Sequence, residues 1–405
     1  MNLYLLRRLK KLTVTDIISY SAFFLMYPIG ILYKQYLKIR RKSFWLICED
    51  EYGANDNGYH FFGYMCRYQK QKPVFYVLNR KSRYYEEVNK IGNVIRWGSL
   101  RHWLYYLSAQ SIISTQLGSS PSLKTFFPLE IIGVLQNKRV FLQHGVLLNY
   151  YESLNYTNNK LSCIICGAKP EYEYIKSSFG FSEKAVVYTG LARFDELHDY
   201  KKQENLIIIM PTWRSWLTQN GVACEEKIKF TDSQYYKEFN GLLNNAQFIE
   251  FVEKNNLQVL FYLHRAMQQY VSSFKSRSSN ITIVKRFDKD IQNLLKEASF
   301  MITDYSSVSV DFAYMKKPLI YFQFDQEKFK KYHGRKGYFS YQDNGFGPTA
   351  ENVESVIEFL KKSYKNNFRL EKLYEERAEE FFPLWDCKNC ERIFKAVDKM
   401  LEGRY

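Results

Sequence analysis

The chain has 405 residues, of which 46% are hydrophobic and 18% aromatic, so it can build large apolar cores and is not a disordered protein. Its net charge of +16 suits an anionic partner, which could be nucleic acid, an anionic membrane surface or a polyanionic product. No helix-turn-helix, RNA-recognition or zinc-finger pattern occurs, which disfavours nucleic acid, and seven cysteines, an odd number, argue against a secreted disulfide framework.

Residues 1–43 combine an apolar run, 17–33, with basic residues on both sides. The run is barely long enough to cross a bilayer, and Pro28 and Gly30 interrupt it. No small-residue cleavage site follows it, so a signal peptide is not expected. The pattern favours a helix lying in the plane of an anionic cytoplasmic membrane surface, so that the protein is peripheral; a true span and a plain packing helix are the alternatives.

From residue 44 onward, short apolar runs alternate with polar helical stretches, which predicts parallel sheets covered by helices on both faces. A polar break near residue 204 separates two such series. We predict an N-terminal Rossmann-like domain over 44–203, a C-terminal one over 204–372, and helices over 373–405 that return to the first domain. Ligands of open α/β sheets bind beyond the carboxyl ends of the strands, here in a cleft between the halves. The predicted strands are 44–49, 73–78, 93–97, 111–115, 139–143, 162–166, 185–190, 206–210, 258–263, 281–284, 300–303 and 319–324.

Two cysteine pairs have the spacing of zinc ligands, Cys163 with Cys166 and Cys387 with Cys390. The first pair lies in an apolar run typical of a strand, where neighbouring side chains face opposite sides of the sheet, which suits a core better than a chelate. We therefore predict reduced thiols in a cytoplasmic protein and no metal site.

The segment 300–325 predicts a buried strand, a turn, a helix and a second strand. Asp304, Ser306 and Ser307 occupy the turn, and these residue types commonly cap helices. Because a helix N-terminus carries partial positive charge and unpaired N–H groups, the turn is a candidate anion site. The alternative is an ordinary capped helix of an α/β sheet.

Polar side chains also follow three other predicted strands. His144 is the usual type of general base, and the adjacent Gly145 leaves room for substrate; the alternative is a surface histidine in a turn. Arg193, near the domain junction, could face the cleft or pair with Asp195. The strand-end residues are His144 and Gly145 after 139–143, Thr212 and Arg214 after 206–210, and His264 and Arg265 after 258–263.

Six segments carry a family resemblance in their order along the chain: ANDNGYHFF (54–62), FLQHG (141–145), TGLARFD (189–195), MPTWR (210–214), LHRAMQQY (263–270) and ITDYSSVSVDFAYMKKPLIYFQFD (302–325), with GYFSYQDNGFGP (337–348) behind them. With these segments the chain resembles the CDP-glycerol glycerophosphotransferases, a family that includes teichoic acid polymerases, primases and capsule polymerases. The resemblance covers roughly residues 44–400. One departure is at His264-Arg265, where family members often have His-Pro.

The resemblance implies a GT-B fold and the transfer of glycerol phosphate from CDP-glycerol to a hydroxyl of a lipid-linked or polymeric polyol-phosphate acceptor, with release of CMP. It implies that the enzyme works at the cytoplasmic face of the membrane. By likeness, His144 aligns with the family's proposed base. The donor-binding positions are His264, Thr303, Asp304, Ser306 and Ser307, and the acceptor-side candidates are Asp56, Asn57, His60, Gly145 and Arg193.

Transfer needs hydrogen-bond donors for the charge on the phosphoryl oxygens and on the leaving CMP. The turn at Ser306-Ser307, with Arg214 and His264, could supply them, so His264 joins His144 as a catalytic candidate, and Thr212 and Arg265 join the donor side. No Asp-x-Asp pair suited to a nucleotide-bound cation is evident. We expect no cofactor, with a loosely bound Mg²⁺ left open.

Three other functions compete with this interpretation. The donor could be CDP-ribitol instead of CDP-glycerol, or the chain could be a GT-B glycosyltransferase that transfers a sugar. The third is a non-catalytic, membrane-bound binding module, against which the joint presence of His144, Thr303, Asp304 and Ser306 argues.

Overall fold

The computed structural model describes residues 14–117, 135, 137–198, 200, 202–218, 229–286, 288–332 and 336–403. The chain divides into two compact units. Unit 1 comprises the chain up to Val146, Glu152–Glu196 and the residues from Asp386 onward, and unit 2 comprises Leu147–Tyr151 and Leu197–Trp385. Apart from the short segment Leu147–Tyr151, the chain passes from unit 1 to unit 2 after Glu196, whereas the predicted boundary was near residue 204.

Unit 1 is built on a seven-stranded parallel sheet in the order β3-β2-β1-β4-β5-β6-β7. Its central strands are buried on both faces, which explains why they read as continuous apolar runs and not as alternating ones. The strands are β1 (Trp45–Cys48), β2 (Val74–Leu78), β3 (Val94–Arg96), β4 (Ser111–Ser114), β5 (Lys138–Phe141), β6 (Cys163–Cys166) and β7 (Val186–Tyr188).

Unit 2 is built on a six-stranded parallel sheet in the order β10-β9-β8-β11-β12-β13. The strands are β8 (Leu206–Met210), β9 (Gln258–Tyr262), β10 (Ile281–Val284), β11 (Phe300–Thr303), β12 (Leu319–Phe322) and β13 (Thr349–Ala350). Every strand predicted from an apolar run is confirmed. Among the described residues, β13 is the one strand that was not predicted, because two residues are too few to show a periodicity.

Helices cover both sheets. Those of the first part of the chain are α1 (Val14–Ile39), α2 (Asn57–Tyr68), α3 (Tyr85–Ile91), α4 (Leu100–Ser108) and α5 (Lys169–Ser178). Those that follow β8 are α6 (Gln234–Asn244), α7 (Ala246–Lys254), α8 (Ile291–Glu297), α9 (Val308–Tyr314), α10 (Gln326–Tyr332), α11 (Val353–Lys365), α12 (Lys372–Phe381) and α13 (Asn389–Leu401).

Helix α1 continues through Pro28, so the predicted interruption is absent. Its inner side packs into the core of unit 1 with Phe23, Met26 and Leu37. Gly30 permits this packing, because a Cβ atom there would come within 2.5 Å of the Cβ of Leu107 in α4. Among the described residues, no helix is both long and apolar enough to cross a bilayer.

The last helix, α13, belongs to unit 1, whereas α12 belongs to unit 2. Ile393, Val397 and Met400 of α13 are buried in the same core cluster as residues of β1 and α2. The carboxylate of Asp195 accepts hydrogen bonds from the backbone N–H groups of Asn389 at 2.8 Å and Cys390 at 2.9 Å, which caps the start of this helix.

Candidate functional site

The predicted acceptor-side residues of unit 1 follow the carboxyl ends of β1, β5 and β7. His144 comes three residues after β5 ends, and its side chain is exposed; Gly145 follows it. The preceding residue, Gln143, is almost fully buried and has a φ of 60°, a left-handed conformation that is uncommon for a residue with a side chain. The structure therefore presents the imidazole to solvent from a tight, unusual turn.

Three of the predicted acceptor-side residues meet at this turn. The side-chain amide of Asn57 donates to the carbonyl oxygen of Gln143 at 2.9 Å. The Nη1 atom of Arg193 donates to the carbonyl oxygen of His144 at 3.1 Å and to the carboxylate of Asp56 at 2.7 Å. Of the two alternatives for Arg193, the structure shows an ion pair with Asp56, and the carboxylate of Asp195 binds the start of α13.

His60 lies on α2 next to this group and is half-buried, with its ring centroid 5.2 Å from that of Tyr59. Its backbone N–H donates to the carbonyl oxygen of Asp56 at 3.2 Å, in the first turn of the helix. His60 is thus on the element that carries Asn57, on a different segment from His144.

A buried glutamate that sequence reasoning missed holds the start of α2. The carboxylate of Glu49 accepts from the backbone N–H groups of Asn55 at 3.0 Å, Asp56 at 2.9 Å and Tyr59 at 2.8 Å. Burial, with a contribution from Asp56, raises the pKa of the Glu49 carboxyl to about 8. Its position directly after β1 was the available signal, because a charged residue at the end of a buried strand needs a partner.

In unit 2, the predicted donor residues separate into a buried group and an exposed group. Arg214 is fully buried, and its guanidinium donates to Asp304 at 2.8 Å, to Asp325 at 2.7 and 3.1 Å, and to the carbonyl oxygen of Thr212 at 2.8 Å. Burial alone would lower the pKa of Arg214, but Asp304 and Asp325 raise it above its usual value, so the guanidinium stays charged. We call Arg214, Asp304 and Asp325 the buried triad.

The buried triad joins the carboxyl ends of three strands, because its members follow β8, β11 and β12. Two further hydrogen bonds connect the carboxyl ends of β8 and β11. The backbone N–H of Thr212 donates to the carboxylate of Asp304 at 2.8 Å, and the hydroxyl of Thr303 donates to the carbonyl oxygen of Met210 at 2.7 Å. The donor contact predicted for Arg214, Thr303 and Asp304 stays a prediction, and the contacts found here support the loops around them. Asp325, like Glu49, was not singled out from the sequence.

The exposed group lies at the same edge of the sheet. His264 and Arg265 follow β9, Ser306 and Ser307 follow β11, and β9 and β11 are the two neighbours of β8. His264, Arg265 and Ser307 are exposed, and Ser306 is half-buried. The Nδ1 atom of His264 accepts from the backbone N–H of Ala266 at 3.2 Å, so in the neutral ring the proton is on Nε2.

The neighbouring tryptophan adds an aromatic surface to this edge. The ring of Trp213 stacks on that of His264 with centroids 6.3 Å apart and planes 25° from parallel. Within the described ranges, no group of three or more histidine, cysteine, aspartate or glutamate side chains is placed to hold a metal ion. Cys163 and Cys166 are buried in β6.

Comparison with solved structures shows which folds are similar. A structure of the wall teichoic acid polymerase TagF superposes with a TM-score of 0.64 at 16% identity, covering 100% of this chain and 99% of that one. A UDP-GlcNAc 2-epimerase from Neisseria meningitidis superposes with a TM-score of 0.51 at 10% identity, covering 88% of this chain and all of that one. At these identities the likeness concerns the fold alone, which is GT-B-like with two parallel sheets.

Sequence comparison gives relatives with higher identity than these solved structures. The chain is 33% identical over 366 residues to the minor teichoic acid biosynthesis protein GgaB of Bacillus subtilis (strain 168), covering 88% of this chain and 40% of GgaB. It is 28% identical over 217 residues to a teichoic acid poly(glycerol phosphate) polymerase of Bacillus spizizenii (strain ATCC 23059 / NRRL B-14472 / W23), covering 50% of this chain and 52% of the polymerase. The chain thus spans about half the length, or less, of these relatives.

The family comparison extends over nearly the whole chain. Residues 31–399 match the protein family described as CDP-glycerol:poly(glycerophosphate) glycerophosphotransferase. This range includes both parallel sheets, the turn with His144 and the exposed strand-end residues of unit 2. The chain belongs to the CDP-glycerol:poly(glycerophosphate) glycerophosphotransferase family.

Proposed function

We propose that the chain transfers glycerol phosphate from CDP-glycerol to a hydroxyl of a lipid-linked or polymeric polyol-phosphate acceptor in the synthesis of teichoic acid or a related surface polymer. The acceptor oxygen attacks the phosphorus that carries glycerol, the bond from that phosphorus to the CMP oxygen breaks, and the hydroxyl proton passes to a base. The observation that carries the proposal is His144, an exposed imidazole held on a fixed turn at a strand end in a member of this family.

We assign the base to His144 and the donor side to unit 2. In unit 2, His264, Arg265, Ser306 and Ser307 are accessible at one sheet edge, and their hydrogen-bond donors suit phosphate oxygens. The buried triad contributes by fixing the end of β11, from which Ser306 and Ser307 extend.

A second donor has specific support, because several relatives carry the name of a ribitol-phosphate polymerase. One is TarL of Staphylococcus aureus (strain NCTC 8325 / PS 47), 26% identical over 196 residues, covering 44% of this chain and 32% of TarL. CDP-ribitol differs from CDP-glycerol only in the polyol, so the contacts to CMP and both phosphates would be shared.

One assay separates these donors and tests the activity. Nucleotide release is measured with CDP-glycerol and CDP-ribitol, which would release CMP, and with a UDP-sugar, which would release UDP, each with a membrane lipid extract as acceptor. We expect acceptor-dependent CMP release from CDP-glycerol above that from CDP-ribitol. Release only from CDP-ribitol would change the donor, and transfer only from the UDP-sugar would replace the proposed activity with glycosyl transfer.

We also propose that α1 holds the protein peripherally at the cytoplasmic face of an anionic membrane. Its outer side carries exposed apolar residues at the helical positions i, i+4, i+7, i+11 and i+14, which we call the outer stripe. Exposed basic residues follow at Lys38 and 40–42. An exposed apolar stripe beside positive charge is typical of helices that lie in the membrane interface. The outer stripe comprises Leu25, Ile29, Leu32, Tyr36 and Ile39.

A further inference from the structure

We propose that Asn57 and Arg193 are positioning residues, which act on the reaction through the backbone of His144 and do not contact the acceptor. This inference rests on the proposed function, in which His144 is the base. It also revises the acceptor-side role that the sequence predicts for these two residues. Three observations in unit 1 carry it.

The first observation is that two successive carbonyl oxygens at the turn are each bound by a side chain from a distant segment. The carbonyl oxygen of Gln143 accepts from Asn57, 86 positions earlier. The carbonyl oxygen of His144 accepts from Arg193, 49 positions later. Because Gln143 has a φ of 60°, its conformation costs free energy and persists only where the surroundings hold it. These two hydrogen bonds stabilise the conformation of the turn.

The second observation is the burial of the two side chains and the bonds between them. Asn57 is 0% and Arg193 5% exposed. The Oδ1 atom of Asn57 accepts from the backbone N–H of Arg193 at 3.0 Å, and Arg193 is ion-paired with Asp56 at 2.7 Å. Both polar ends of the Asn57 amide are therefore bonded inside the protein, and the same guanidinium nitrogen of Arg193 serves Asp56 and the turn. A side chain so placed fits a supporting role better than substrate contact.

The third observation is that the side chain of Gln143 is anchored on the other side of the turn. Its amide nitrogen donates to the carbonyl oxygen of Ile165 at 2.6 Å and to the carboxylate of Glu171 at 3.0 Å. The residue before His144 is thus fixed through both its backbone and its side chain. Because the imidazole extends from this backbone, its position follows that of the turn, and a displacement of about 1 Å can cost up to about a hundredfold in rate.

The test is a double-mutant cycle between Arg193→Lys and His144→Ala, measured by CMP release. We expect Arg193→Lys to lower kcat at least about tenfold while the KM values for donor and acceptor change less than about threefold. In the His144→Ala background, Arg193→Lys should cause no further loss, because the residue that it positions is gone. Arg139→Lys is the matched control, since Arg139 is also nearly buried in unit 1 and donates to the side chain of Asn159 and to the carbonyl oxygen of Leu117.

A second readout does not depend on activity. Amide hydrogen exchange of residues 141–146 should be faster in Arg193→Lys and in Asn57→Ser than in the wild type and in Arg139→Lys. Equal losses from Arg193→Lys with and without His144, or a rise confined to the acceptor KM, would overturn the proposal in favour of direct contact. Unchanged exchange in both variants would also overturn it. If the wild type released no CMP from any donor, the proposed function would fail, whereas the exchange result would still decide whether these residues hold the turn.

Discussion

At the scale of single residues, His144 is the candidate general base that accepts the proton of the acceptor hydroxyl. A general base contributes about 10²–10⁴-fold to rate, and it acts mainly in the transition state. We therefore expect His144→Ala to lower kcat by at least about a hundredfold, with the donor dissociation constant from calorimetry nearly unchanged. The acidic limb of the wild-type kcat/KM profile should disappear in this variant.

His60→Ala is the matched control for this variant, because His60 is the other histidine among the predicted acceptor-side residues and lies on α2. It should retain most of the wild-type kcat. If the two variants exchanged their effects, the base would be His60 and not His144. If neither had an effect, Asp56 would be the next residue to test.

A prediction on pH follows from Glu49, whose pKa of about 8 in the folded protein lies above its ordinary value of 4.5. Between these values the folded state binds more protons than the unfolded state, so this group's contribution to stability falls as pH rises towards 8. Glu49→Gln cannot ionise. We expect its Tm to decrease less between pH 6 and pH 9 than the wild-type Tm, measured by thermal unfolding. Parallel decreases would show that Glu49 is already ionised at pH 6.

At the scale of elements, the buried triad binds three strand ends of unit 2 together. Removal of the guanidinium would leave the carboxylates of Asp304 and Asp325 buried without a cation, and such a loss typically costs about 3–5 kcal/mol. We expect Arg214→Met to lower the stability of unit 2 by an amount of that order, measured by denaturant unfolding. Arg277→Met, at an exposed arginine of the same unit, should change it by less than about 0.5 kcal/mol.

The buried triad also shows which features could be predicted from the sequence and which could not. The strands could be predicted because burial on both faces leaves a continuous apolar run, as in Leu206–Met210. The edge that bears Arg214 and Asp304 could be predicted too, since parallel strands bring their carboxyl ends together. Their burial could not, because it depends on Asp325, whose carboxylate comes from a third strand end. Local spacing does not record which of several strand-end charges pair with each other.

Helix α1 shows a second limit of prediction from the sequence. Its apolar run was divided at Pro28 and Gly30, yet the structure has one continuous helix. A proline removes one backbone hydrogen bond, but packing along the helix can offset that cost, and the glycine serves the close contact with Leu107. The apolar run therefore combines two functions, a packed inner side and the outer stripe, which hydropathy alone cannot separate.

At the scale of the whole molecule, the outer stripe should decide whether the protein binds membranes. We expect the double variant Leu25→Glu/Leu32→Glu to lose binding to vesicles that contain anionic lipid, in a flotation assay, because both leucines are about two-thirds exposed. Leu373→Glu, at a leucine of α12 that is 53% exposed, is the control and should bind like the wild type. Equal binding by all three proteins would contradict the proposal, as would a change of oligomeric state confined to the double variant.

The place of α13 in unit 1 has a consequence for how the protein is made. A ribosome synthesises the chain from its N-terminus, so all residues of unit 2 emerge before Ile393, Val397 and Met400. Until then, apolar side chains of β1 and α2 have no cover from the last helix. Unit 2 can therefore complete its core before α13 is synthesised, whereas unit 1, although begun first, is completed only after α13 has emerged. During this interval the nascent chain exposes an apolar surface on β1 and α2, to which chaperones can bind.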